Sequence, residues 1–231
     1  MDTDTGLVKE VCGERMVRDA YGVALALVLL ATLTLIASNP DIDSTLAALV
    51  GLLQVAALVV TLRVSGVGRN RSLVFSAIAI GLFATAAIAV TAGISEAQTA
   101  ALAFWLLITI TTIGVIIRRL ATYRRVTVQL VMGLLTIYML VGIAFGLAYM
   151  LADALGPPAF AQGYRGVSDA VYFSFVTLAT LGYGDISPGS NAVRALSVAE
   201  AIIGQLYLVS VVSLAVGRLG MLKDGARKAQ G

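Results

Sequence analysis

The sequence predicts an all-α membrane protein with six transmembrane helices and one short segment that enters the membrane and returns. Hydrophobic residues make up 59% of the 231 residues and charged residues only 13%, and the mean hydropathy is +0.94. Soluble domains are far more charged. The apolar residues are gathered into separate stretches, and a helix needs roughly 17 to 25 such residues to cross a bilayer.

Six stretches are long and apolar enough to be transmembrane helices. They run near Ala20 to Ala37, Leu46 to Leu62, Leu73 to Ala92, Thr99 to Ile117, Val126 to Leu151, and Ala192 to Leu219. The apolar segment from Ala170 to Ala179 is too short to cross, so we expect it to be re-entrant. Residues 1–19 are interpreted as a cytoplasmic segment. A cleavable signal peptide is the alternative, but the acidic residues of this segment do not suit a basic n-region.

The basic residues predict the orientation, because cytoplasmic loops carry an excess of Lys and Arg. If the spans alternate, only Arg165 and Arg194 of the sixteen Lys and Arg residues fall on the side opposite the others. Both termini are therefore predicted to be cytoplasmic. The loop after the re-entrant segment is predicted to face outside.

The composition also argues against several classes of function, namely those that need disulfides, imidazole metal sites or acid–base catalysis. The chain has one cysteine, Cys12, and no histidine, so we expect no intrachain disulfide and no imidazole metal site. Paired carboxylates on facing helices are lacking, which leaves little for acid–base or nucleophilic chemistry. We expect neither an enzyme nor a nucleic-acid-binding protein, and no organic cofactor.

A distinctive loop, residues 177–185, lies between the re-entrant segment and the last span. Ion selection by backbone carbonyls needs successive C=O groups turned toward one axis, and glycines with positive φ at alternate positions permit this. Gly182 and Gly184 have the required spacing. A plain turn is the alternative, since Gly and Asp are common turn residues, but the apolar setting on both sides favours the first interpretation.

The run from Thr180 to Asp185, Thr-Leu-Gly-Tyr-Gly-Asp, resembles the signature of the potassium channel family, which is usually Thr-Val-Gly-Tyr-Gly-Asp. The resemblance covers the region from Val126 to Leu219. It implies a selectivity filter in which carbonyls and one hydroxyl replace the water of a potassium ion, and an acidic ring at the outer mouth. The filter residues would be Thr180, Leu181, Gly182, Tyr183 and Gly184, with potassium on the carbonyls of Thr180 to Tyr183 and Asp185 at the mouth. One filter per chain implies a homotetramer around a four-fold axis.

The region before the filter module resembles voltage-gated channels in layout only. A voltage sensor needs several arginines within the membrane field, and residues 99–117 contain none. The arginines that follow at 118, 119, 124 and 125 are interpreted as an interfacial anchor, so strong voltage gating is not expected. The predicted regions are 1–19, a four-helix bundle 20–119, a linker 120–126, the pore module 127–219 and a short basic cytoplasmic tail 220–231.

Further positions are predicted to support the filter. Ser168 is expected to be the N-cap of the pore helix, with Asp169 in its first turn. The resemblance places Tyr172 and Phe173 in an aromatic cuff around the filter, with a hydrogen bond from Tyr172 to Asp185. Simple packing is the alternative for both aromatic residues.

The last span carries Glu200, an ionisable residue at membrane depth and therefore a candidate for filter support or gating. By resemblance, Gly204 occupies the hinge position, while close helix packing is the alternative. Gln205, Leu208 and Val212 share one helical face and are candidates for lining the cavity.

Together these features predict a potassium-selective channel that conducts passively across the cell membrane, with prokaryotic origin favoured. Expected partners are three further copies of the chain, membrane lipids and an unidentified regulatory protein. The alternatives are a potassium transporter subunit and a non-conducting potassium sensor.

Overall fold

The computed structural model describes residues 20–37, 55–56, 59–60, 81, 95–123, 127–163 and 166–228. The described part of the chain is helical, apart from loops and one isolated antiparallel bridge between Phe160 and Pro188. The helices are α1 (Ala20–Ala37), α2 (Ser95–Leu120), α3 (Val128–Leu155), α4 (Val167–Leu178) and α5 (Asn191–Lys228).

The described helices agree with the predicted spans in place and differ at their ends. Helix α1 has the predicted bounds, and α5 continues nine residues past Leu219, to Lys228. The second and third predicted spans lie outside the described residues, except for residues 55–56, 59–60 and 81, which are helical. Within the described ranges, three helices are long and apolar enough to cross a membrane, namely Gln98–Leu120, Val128–Leu155 and Asn191–Val211.

Helix α3 lies at the centre of the described fold and contacts the four other helices. It begins after Thr127, whose hydroxyl accepts a hydrogen bond from the backbone N–H of Leu130 at 3.3 Å, as an N-cap should. It ends at Leu155, before the Gly-Pro-Pro sequence of residues 156–158, because proline lacks the N–H that a helix needs. A buried apolar cluster joins it to α1 and α2: Tyr21, Val28, Ile116, Leu120, Leu130, Ile137, Leu140 and Ile143.

Two glycines four residues apart let α3 approach the short helix α4. A Cβ atom on Gly142 would lie 2.7 Å from the ring of Phe175, and one on Gly146 would lie 3.0 Å from Cγ2 of Val171. Both distances are shorter than ordinary contacts between carbon atoms, so a residue larger than glycine would not fit at either position without a shift of its neighbours. This Gly-x-x-x-Gly pattern, typical of helix contacts in membranes, therefore fixes how deeply α4 is set against α3.

Candidate ion-selectivity filter

The short helix α4 begins two residues earlier than the sequence suggested, at Val167. Its N-cap is Gly166, with φ +134° and no side-chain cap, a backbone conformation that glycine adopts without steric cost. The prediction of Ser168 as N-cap is therefore wrong, and Ser168 lies in the first turn. Asp169 is in the first turn as predicted, where the helix dipole favours a negative charge.

The C-terminal carbonyls of α4 bind the backbone N–H groups of the following loop. The N–H of Thr180 donates to the carbonyl of Thr177 at 3.0 Å, and the N–H of Leu181 donates to that of Val176 at 2.9 Å. The N–H of Gly182 also reaches the Val176 carbonyl, at 3.4 Å. In a trans peptide the C=O points opposite to the N–H of the next residue. The carbonyls of residues 179–181 therefore point away from α4.

The backbone of the loop alternates in the sign of φ. Gly182 has φ +58° and Gly184 has φ +80°, as expected from the sequence, and Thr180 also has φ +58°. Positive φ at every second residue turns successive carbonyls toward the same side. Within the described residues, no hydrogen bond is donated to the carbonyls of residues 180–183. Alternating φ and carbonyls without hydrogen bonds are the backbone features that a carbonyl ion filter requires.

The loop lies on the surface of the single chain, and its two large side chains are exposed: Leu181 by 56% and Tyr183 by 65%. Helix α5, which packs behind the loop, also has a set of exposed apolar side chains. They are Val198, Ile202, Ile203, Leu206, Leu208 and Val209. An apolar surface of this kind marks contact with lipid or with another protein surface.

Tyr172 and Phe173 have different environments. The Tyr172 hydroxyl donates a hydrogen bond to Oδ2 of Asp185 at 2.9 Å, which is the contact expected from the sequence. This hydrogen bond, with smaller effects of burial and of the Asp185 charge, raises the pKa of the Tyr172 hydroxyl. Phe173 instead lies in a buried cluster, with its ring edge-on to Tyr149 at 5.1 Å and to Phe160 at 5.2 Å.

Glu200 is fully buried and touches two hydroxyl groups from other helices. Its Oε2 lies 2.5 Å from the hydroxyl of Tyr149 in α3, and its Oε1 lies 2.5 Å from Oγ of Ser174 in α4. Ser174 Oγ is also 2.6 Å from the carbonyl oxygen of Gly142. The carboxyl group therefore joins three helices directly behind the filter loop. Tyr149 and Ser174 were missed from the sequence, although hydroxyl groups in apolar helices do need partners.

Gly204 lies against the last residue of α4. A Cβ atom there would be 2.7 Å from the carbonyl oxygen of Leu178 and 2.8 Å from its Cδ1. The same carbonyl accepts a hydrogen bond from the Tyr138 hydroxyl of α3 at 3.3 Å. The close-packing interpretation of Gly204 thus has a direct contact, and the hinge stays a prediction.

The candidates for lining the cavity follow Gly204 on α5. Gln205 and Leu208 are exposed in the single chain. The side chain of Val212 lies outside the described residues. Their assignment to a cavity therefore stays a prediction.

The loop between α3 and α4 is fastened to the segment after the filter. Besides the bridge from Phe160 to Pro188, the N–H of Ala161 donates to the carbonyl of Ser187 at 3.0 Å. The side-chain oxygen of Gln162 accepts a hydrogen bond from the backbone N–H of Ser187 at 3.0 Å. Within the described residues, no cluster of three His, Cys, Asp or Glu side chains offers another metal site.

Residues 137–219 match the family model described as "Ion channel". Over 83 residues the chain is 32% identical to the voltage-gated inwardly rectifying potassium channel KCNH2 of Sus scrofa. The aligned segment is 32% of this chain and 7% of that protein. Over 54 residues it is 43% identical to two-pore potassium channel 1 of Arabidopsis thaliana. This aligned segment is 23% of this chain and 15% of that protein. No solved structure matches.

The match begins within α3 and includes α4, the filter loop and α5 as far as residue 219. The chain spans only a small part of the relatives it resembles. Residues 137–219 are thus similar to an ion channel domain and to segments of potassium channels, and the long apolar helices fit a membrane protein.

Proposed function

We propose that the chain forms a homotetrameric, potassium-selective channel that conducts passively across the cell membrane. The observation that carries the proposal is the backbone of residues 180–183. Its N–H groups at 181 and 182 are held by α4, φ alternates in sign, and the carbonyls accept no hydrogen bond from the part of the chain that the structure describes. Such a row of oxygens can replace the water shell of a potassium ion.

One chain supplies only one side of an ion site, so four copies around an axis are needed to surround the ion. The exposed side chains of Leu181 and Tyr183 would then pack against neighbouring copies or against the adjacent helices. The similarity to proteins named as potassium channels supports potassium as the ion. The Thr180 hydroxyl would add a further oxygen at the inner end of the filter.

The electrostatics of α4 suit a cation at that inner end. Its C-terminus is next to the filter, and the C-terminal end of a helix has a partial negative charge. The carboxylate of this helix, Asp169, is in the first turn, at the N-terminal end away from the filter. The site therefore attracts a cation without a carboxylate in the conduction path. Asp185, exposed after the filter, would supply negative charge at the outer mouth.

In this proposal both termini are cytoplasmic and the filter loop opens to the outside. Arg118 and Arg119 are exposed at the end of α2, a position suited to anionic lipid headgroups. Residues 99–117 lack arginine, so channel opening would depend only weakly on voltage. Lipid or a regulatory protein would then set the open fraction.

The test is potassium and sodium flux through purified protein in liposomes, with Gly182→Asp and Gly163→Asp measured in parallel. Both glycines have positive φ, and a Cβ atom on either would meet no described residue within 4 Å, so the two changes impose similar backbone strain. Only the first places a carboxylate in the filter. We expect potassium-selective flux in the wild type and in Gly163→Asp, and loss of that flux in Gly182→Asp.

Other results would point to other functions. A tetramer without flux under any voltage, pH or membrane tension would favour a potassium sensor. Flux from a protein whose mass corresponds to fewer than four chains would favour a transporter subunit. Equal flux of sodium and potassium would contradict the proposed selectivity.

A further inference from the structure

Glu200 has an environment that does not suit a carboxylate anion. The residue is fully buried. Within the described part of the chain its hydrogen-bond partners are the hydroxyl groups of Tyr149 and Ser174, with no Lys or Arg side chain among them. Burying an ionised carboxylate without a cationic partner is strongly unfavourable. The titratable groups of α3 that interact with it are Tyr149, whose neutral phenol supplies one hydrogen, and Tyr138.

The number of hydrogen atoms available around Glu200 also indicates a neutral, protonated carboxyl group. Three short contacts between oxygen atoms form a chain: Tyr149 to Glu200 at 2.5 Å, Glu200 to Ser174 at 2.5 Å, and Ser174 to the Gly142 carbonyl at 2.6 Å. Each contact needs its own hydrogen, because two oxygens at such distances repel without one. Tyr149 and Ser174 have one hydroxyl hydrogen each.

A carboxylate would leave one of the three contacts without a hydrogen. The carbonyl of Gly142 can only accept, so Ser174 must donate to it. Tyr149 donates to Oε2 of Glu200, because its other neighbour, Ser197 Oγ, is more distant at 3.3 Å. The hydrogen between Glu200 and Ser174 must therefore come from the carboxyl group.

We propose that Glu200 is a neutral carboxylic acid that donates its proton to Ser174 and so acts as a positioning residue that fastens α4 to α3 and α5. The hydrogen bonds then run in one direction, from Tyr149 through Glu200 and Ser174 to Gly142. No proton is transferred, and every donor and acceptor in the chain is used once.

The location of this chain of hydrogen bonds connects it to the filter. Ser174 lies two and three residues before Val176 and Thr177, whose carbonyls accept hydrogen bonds from the N–H groups of residues 180–182. Four residues further along both helices, Leu178 of α4 lies against Gly204 of α5. The contact of Ser174 with Glu200 and that of Leu178 with Gly204 therefore fix two successive turns of α4. The consequence for ion flux rests on the proposed function, whereas the protonation state does not.

The first test is infrared spectroscopy of the purified protein in lipid at neutral pH. The C=O stretch of a protonated carboxylic acid is separate from the carboxylate bands. We expect the wild type to show this acid band and Glu200→Gln to lack it. In Ser174→Ala the band should remain at a shifted frequency, because the acid loses its acceptor. A wild type whose acid band is unchanged by Glu200→Gln, and whose carboxylate bands decrease instead, would overturn the proposal.

The second test is rescue by the conservative variant. The amide of Gln can donate to Ser174 and accept from Tyr149, so Glu200→Gln should keep the thermal stability and potassium flux of the wild type. Glu200→Ala leaves both hydroxyl groups without their partner and should lose stability and flux together. Glu200→Ala matching Glu200→Gln in both measurements would overturn the positioning role. Should the wild type show no flux, the proposed function fails, while the acid band and the stability comparison still decide the present inference.

Discussion

Replacing Gly204 by Ala separates the two interpretations of this position in α5. The added Cβ would lie 2.7 Å from the carbonyl oxygen of Leu178. Because that oxygen belongs to backbone, it cannot move away by a side-chain rotation. Overpacking of this kind costs about 1–3 kcal/mol, while Ala in place of Gly inside a helix contributes about 1 kcal/mol of stability. The net effect is a loss of up to about 2 kcal/mol.

The chain offers a matched control in Gly114 of α2. Among the described residues, a Cβ atom there would meet nothing within 4 Å, so Gly114→Ala is expected to gain helix propensity without a clash. The propensity term is common to both variants. The difference between their stabilities therefore measures the overpacking alone, at about 1–3 kcal/mol.

The assay is thermal unfolding of the two variants in the same detergent, followed by potassium flux in liposomes. We expect Gly204→Ala to unfold at a lower temperature than Gly114→Ala and to conduct less, since a shift of Leu178 moves the end of α4, two residues before the proposed filter. A Gly204→Ala protein as stable as the control, with altered flux only, would refute the close-packing argument and favour a hinge.

Two further predictions concern the filter and its outer end. Tyr172→Phe removes the hydrogen bond to Asp185. The pKa of the Tyr172 hydroxyl is higher in the folded protein than in the unfolded chain. The hydrogen bond therefore contributes its full stability below the ordinary tyrosine pKa of about 10. This stability is lost as the pH rises through the higher pKa of the folded protein. The difference in melting temperature between wild type and Tyr172→Phe should therefore be constant near neutral pH and shrink above about pH 10; a difference that grows there would contradict this. Replacing potassium by sodium should lower the melting temperature of the wild type, because a bound ion at about 100 times its Kd stabilises by about 2.7 kcal/mol, and should leave Gly182→Asp unaffected.

Local features of the fold were predictable because their causes are local. The continuous apolar run of residues 20–37 specified α1 to the residue. The spacing of Gly182 and Gly184 specified their positive φ. The positive φ of Thr180 was not predictable, because a β-branched residue normally avoids this region. The N-cap of α4 was placed wrongly because Ser168 has the higher cap preference, while Gly166 has the backbone freedom that the chain uses.

Contacts between distant residues could not be read from the sequence. Glu200 was recognised as unusual, but its partners lie 51 and 26 residues away, at Tyr149 and Ser174. A hydroxyl in an apolar helix signals that a partner exists without saying which one. The pairing of Gln162 with Ser187 was hidden for a similar reason, because loop residues reveal turns and not the segment they pack on.

The left-handed conformation of Thr180 has a consequence for protein engineering. Holding an L-residue there costs about 1–2 kcal/mol, whereas glycine accepts it at an entropic cost of about 0.5–1 kcal/mol. Thr180→Gly would then modestly increase stability and would remove the hydroxyl from the inner end of the filter. Directed evolution for heat resistance alone would favour this change and would discard the hydroxyl that the proposed filter uses. Libraries for a more robust protein should therefore keep position 180 fixed.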